Sequence, residues 1–140
     1  MTISECLKDW LGKFPGFSSD TILTDRIEAP DGMSALYKSP NKSVVPLNDG
    51  SKRVTEYYQF FFRGATIEES QRISNNQLVE DLENWVEEKE FEEDYPDLSQ
   101  AGKYICEEIA LSGYGSVSFQ EEDNAVYQIT IEIKYLKERS

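Results

Sequence analysis

The 140 residues include no histidine, which removes Ser-His and Cys-His nucleophile pairs and any metal site built on imidazole. The two cysteines, Cys6 and Cys106, have no short spacing between them. They read as two buried thiols of a cytoplasmic protein, and nothing in their placement supports a disulfide. Neither a G-x-G-x-x-G nor a P-loop pattern occurs. Glu121-Glu122-Asp123-Asn124 lacks the spacing and the central glycine of an EF-hand calcium loop, and reads as solvated acids of a turn. With 27 Asp and Glu in the chain, some carboxylates are always close together, so pairs of them carry no signal for acid–base catalysis. The expectation is a protein that is not an enzyme, with no metal and no cofactor.

Charge is the informative chemistry. The formal net charge is −13, and its distribution is uneven. Residues 1–63 hold eight Lys or Arg and eight Asp or Glu, whereas residues 64–140 hold six against nineteen. Direct DNA or RNA binding rests on cations that neutralise phosphates and is therefore disfavoured. Two segments stand out. Residues 38–53 carry Lys38, Lys42, Lys52 and Arg53 against the single Asp49. Residues 87–94 carry Glu87, Glu88, Glu90, Glu92, Glu93 and Asp94 against the single Lys89. The chain is electrostatically two-sided, and these ten residues are the candidates for an interface.

The elements that must position them follow from periodicity. Thr2 and Glu5 form a capping box, and Ile3, Leu7, Trp10, Leu11 and Phe14 form the apolar stripe of a short core-facing helix stopped by Pro15-Gly16. Residues 20–29 alternate as a half-buried strand. Pro30-Asp31-Gly32 reads as a turn, and residues 34–38 as a second strand that completes a hairpin. Residues 39–53 lose the pattern. Two prolines, two asparagines and Asn48-Asp49-Gly50 predict a long exposed connection, either a loose insertion or a basic arm that contacts a neighbour.

Residues 54–62 are a strand with aromatics on both faces, broken at Arg63-Gly64-Ala65. A second capping box, Thr66 with Glu69, starts a long helix whose Leu78, Leu82, Trp85 and Val86 form one stripe. The acids of 87–94 at its C-terminus oppose the macrodipole. Residues 104–112 read as a strand, followed by Gly113 and Gly115 and a short run at 117–119. The last strand alternates Tyr127, Ile129, Ile131, Ile133 and Tyr135 against polar neighbours. Hydrophobic content of 39% with seven Phe, eight Tyr and two Trp argues against disorder. The expected fold is one α+β domain over residues 1–140, in the order α-β-β-β-α-β-β. It has a single antiparallel or mixed sheet of four to five strands, both helices on one face, and an extended loop or arm at about 38–53. No membrane span and no secretion signal is visible.

Several stretches resemble a family of small proteins from phages and prophages of Gram-positive bacteria, described as minor capsid or tail terminator proteins. They are Met1-Thr2-Ile3-Ser4-Glu5-Cys6-Leu7, Tyr37-Lys38-Ser39-Pro40, Thr55-Glu56-Tyr57-Tyr58-Gln59-Phe60, the Glu-rich helix with Leu82 and Trp85, Tyr95-Pro96-Asp97-Leu98 and Val126-Tyr127-Gln128. The resemblance runs along most of the chain and rests on order and spacing. It implies a virion structural protein, present in the host cytoplasm during assembly. Its partners would be itself in a ring, commonly a hexamer, the tail tube protein and the head connector, with DNA only in transit through the lumen. The segment 38–53 would then reach the acidic helix end of the next subunit. The alternative function is an acidic phage-encoded DNA mimic that inhibits a host nuclease or defence protein.

Overall fold

The computed structural model describes residues 1–15, 22–24, 34–65, 69–120 and 124–138. Its first element, α1, spans Ile3–Leu11. The expected capping box is formed: Thr2 Oγ1 accepts from the Glu5 amide at 3.1 Å, and Glu5 Oε1 accepts from the Thr2 amide at 3.2 Å. Two of the orphan amides at the helix start are thereby satisfied. The helix ends at Gly12, before the expected Pro15 stop. Leu7, Trp10, Leu11 and Phe14 are all buried, so the stripe faces the core.

The strands are β1 (Ile22–Thr24), β2 (Ser34–Pro46), β3 (Lys52–Ala65), β4 (Tyr104–Gln120) and β5 (Asn124–Lys137), and α2 (Glu69–Glu92) lies between β3 and β4. The order is the expected α-β-β-β-α-β-β. One sheet runs β1-β2-β3-β5-β4. Its four long strands pair antiparallel, and the three-residue β1 joins β2 in parallel, Ile22 against Ser34. The expected hairpin of these two strands is therefore corrected, because a hairpin would have paired them antiparallel. The Pro30-Asp31-Gly32 turn, Thr66 of the second capping box and the acids of 121–123 lie outside the described residues.

Residues 38–53 also differ from expectation. They form most of β2, a tight turn and the start of β3, not an irregular loop or arm. Leu47 and Ser51 close the turn through Leu47 N–H to Ser51 O at 2.9 Å, and Gly50 holds φ +90 inside it. This is the left-handed position that a three-residue hairpin loop assigns to glycine. Every residue of β3 from Lys52 to Ala65 is also registered on β5, so the sheet continues to the base of that turn.

Both helices cover one face. Leu36, Val54, Tyr58, Phe60, Ile129, Ile131 and Ile133 on the sheet meet Leu7, Trp10, Leu11, Leu82 and Val86 from the helices in one core. Alternation along β3 and β5 sends every second side chain into it. Where α1 meets α2, Trp10 and Trp85 pack at 4.7 Å between ring centroids. Gly113 and Gly115 do not interrupt β4, which continues past them with several register shifts.

Candidate interaction surface

The two charged segments lie on different elements. Beyond its pairing with β1, β2 is an edge strand, so Lys38 and Lys42 lie along one edge. The other edge is β4, and α2 packs chiefly against it. The chain leaves α2 through the acidic exit, residues 87–94, and enters β4 at Tyr104.

Three of the four cations are answered within the subunit. Lys38 and Lys42 both reach Glu56 Oε1 at 3.5 Å. They can share one carboxylate because β2 bulges between them: Lys38 is registered on Tyr58 and Lys42 on Glu56, leaving Ser39-Pro40-Asn41 opposite Tyr57. A bulge on an edge strand also accommodates Pro40, which has no amide to donate. Arg53 makes a two-pronged contact with Glu107, Nε to Oε1 at 2.8 Å and Nη2 to Oε2 at 3.4 Å. This hydrogen bond holds the Arg53 guanidinium above its ordinary value. Lys52 is exposed and has no ion pair among the described residues.

Glu56 is the most enclosed charge in the described fold, 1% exposed. Its Oε1 accepts from Tyr135 Oη at 2.8 Å and its Oε2 from Tyr58 Oη at 3.0 Å. Burial alone would push this carboxyl up. The Tyr135 and Tyr58 hydroxyls, then Lys38 and Lys42, outweigh burial and hold it below the ordinary value. Burial and the bond to Glu56 push the Tyr135 hydroxyl far up. An anion stabilised in this way is a poor base, and a phenol so displaced is a poor nucleophile. The constellation fastens β2, β3 and β5 together. A groove of about 510 Å³ lies in front of it, lined by Thr2 to Glu5, Lys38, Tyr58, Ala101 and Tyr104. The cation in that groove already faces Glu56.

The acidic side keeps more of its charge. α2 ends in a Schellman motif, with Glu93 N–H donating to Glu90 O at 3.2 Å and Asp94 N–H to Lys89 O at 2.9 Å. Glu93 occupies its left-handed position at φ +57. Lys89 and Asp94 pair at 3.1 Å across the motif, and the Lys89 ammonium also lies 5.6 Å from the Trp85 ring centroid. Trp10 Nε1 donates to Asp94 O at 2.9 Å and ties the exit to α1. The single base of the run is therefore held inward, while Glu87, Glu88, Glu92 and Glu93 are exposed. Among them Phe91 is 89% exposed.

No protein-family model and no curated protein matches this chain. Expectation from sequence omits both Glu56 and Phe91. Alternation along Val54, Glu56, Tyr58 and Phe60 would have sent Glu56 inward with its apolar neighbours. Phe91 follows Val86 by five positions, which carries it off the apolar stripe of α2. Among the described residues, no three His, Cys, Asp or Glu side chains gather where they could hold a metal ion, and no helix is long and apolar enough to cross a membrane.

Proposed function

We propose that the chain is a structural protein of a phage virion, a tail terminator or head–tail joining subunit. It would form a ring on the tail tube and link the tube to the head connector. One geometric observation supports this above others: cationic side chains line β2 and the start of β3, and a separate, exposed acidic segment ends α2. A ring requires two different, mutually complementary patches on each subunit. Two distinct patches of opposite charge suit that requirement. The stretches that resemble terminator proteins add to it, and Glu56 and Tyr58 belong to one of them. DNA would only pass through the ring, because exposed carboxylates do not hold phosphates.

The exposed acids of α2 also suit the second reading, a DNA mimic that occupies a basic site on a host protein. Deleting the gene from an inducible lysogen and imaging the lysate by electron microscopy separates the two. The terminator role predicts filled heads beside detached tails of irregular, often excessive length. Detached tails of normal length would leave a joining role alone. Intact virions would exclude the virion reading and select the mimic.

A further inference from the structure

Phe91 has a feature that the charge pattern does not explain: a large aromatic ring left in solvent at the centre of an acidic helix end. On the β2 side, Val44 and Val45 near the hairpin turn are also exposed, at 45% and 52%. Successive strand side chains point to opposite faces, so Val44, registered on Val54, shares a face with Lys42 and Lys52, while Val45, registered on Arg53, points to the other. Each charged segment therefore carries an exposed apolar side chain with charge around it, Phe91 among the acids and Val44 between Lys42 and Lys52, and the charges are opposite. Two lysines share one carboxylate on the β2 side and Lys52 is unanswered among the described residues, so that side stays positive. On the α2 side the single lysine of the acidic run is held by Asp94, so the exposed Glu88, Glu92 and Glu93 keep that segment negative.

We infer that Phe91 is the anchor of a head-to-tail contact between copies of this chain. Its ring seats against Val44 of the next copy, and the surrounding glutamates face Lys52 and the Lys38–Lys42 pair. An exposed aromatic ring surrounded by charge is the usual form of an interface hot spot, in which the apolar anchor supplies affinity and the charges set orientation and partner. The inference deepens the ring reading by naming the occupant of both surfaces, and it rests on that reading only for taking a second copy as the partner. Both open edges of the sheet argue for contact through such surfaces in preference to strand addition. Bulges interrupt β2 and β4, and β2 carries Pro40 and Pro46 as well; these are devices that block edge-to-edge pairing.

Sedimentation of the full chain, from dilute to near-millimolar concentration, tests the inference. The wild type should associate, and Phe91→Ala should weaken association roughly tenfold or more while leaving the melting temperature unchanged, because the ring touches little of its own subunit. Lys52→Glu should weaken it as well. In a mixture of tagged copies, Phe91→Cys in one and Val44→Cys in the other should cross-link, whereas Phe91→Cys with Thr130→Cys should not. A wild type that stays monomeric throughout, association that Phe91→Ala leaves unchanged, or cross-linking to position 130 would each overturn it. Detached, overlong tails from the deletion strain alongside any of those results would retain the ring and place its interface elsewhere. Intact virions would remove the ring itself.

Discussion

Glu56 shows how a single side chain can determine the packing of three strands. It is the buried member of a network of two tyrosines and two lysines, and its carboxyl is held below the ordinary value of 4.5. Replacing it with glutamine keeps the shape but removes the charge to which both lysines and both hydroxyls are directed. Glu56→Gln should therefore cost roughly 2–4 kcal/mol at neutral pH, read from urea unfolding. The pH dependence has a definite sign. A carboxyl that is more acidic in the folded chain contributes stability above its unfolded value, and that contribution is lost as pH falls through the folded one. The difference between wild type and Glu56→Gln should therefore be full at neutral pH and shrink as the solution is taken below the ordinary carboxylate range. A constant difference would mean that Glu56 acts through shape alone. Glu93 is the reverse case. A non-glycine residue at φ +57 in the C-terminal motif of α2 is under backbone strain, and its charge opposes the helix dipole. Glu93→Gly should stabilise the fold by about 0.5–1 kcal/mol, seen as a rise in melting temperature. A fall would show that the Glu93 side chain makes a contact worth more than the strain.

At the level of elements, local signals proved reliable where the chain makes its own structure. Thr2 and Glu5 cap α1 through bonds within one turn, and the inward positions of β5 follow from strict alternation, so both were legible. The β2–β3 hairpin was not. Residues 38–46 are rich in lysine, serine and proline, which disfavour strand as isolated residues. They are extended because β3 offers them a paired edge, and because an edge strand tolerates charge, proline and a bulge. The reversed direction of β1 escaped for a related reason: alternation marks a strand but not which way its neighbour runs. In β4, one of the two glycines that suggest an interruption, Gly115, lies against α2. The Gly115 amide donates to Glu83 Oε1 at 3.0 Å, and a Cβ on Gly115 would strike Val79. Gly115→Ala should therefore push α2 off the sheet and cost about 1–3 kcal/mol, the usual range for overpacking. A urea midpoint that falls with an unchanged slope would match this expectation. An unchanged midpoint would show that α2 can shift at no cost.

The whole molecule carries −13 at neutral pH, and salt should act on it in two opposing ways. Within one subunit the acids of α2 and its exit repel each other and face the negative end of the helix dipole. Screening relieves both effects, so added sodium chloride should raise the melting temperature by a few degrees at low protein concentration, where a copy meets no partner. Neutralising Glu88 and Glu92 together, as Gln, should reproduce part of that rise and blunt the response to salt. Between subunits the proposed contact sets the same acids against Lys52 and the Lys38–Lys42 pair, and screening weakens that attraction. Association should therefore fall over the salt range that stabilises the monomer. The opposite signs matter because a purely apolar contact, or non-specific sticking of a highly charged chain, would behave differently: salt would leave the former nearly unchanged and would strengthen the latter by suppressing mutual repulsion. Melting at low concentration and sedimentation at high concentration, run through one salt series, thus separate the acidic end as a liability of the single subunit from the acidic end as half of an interface. If both quantities rise with salt, the acids contribute only repulsion, and Phe91 cannot be the centre of a charge-steered contact.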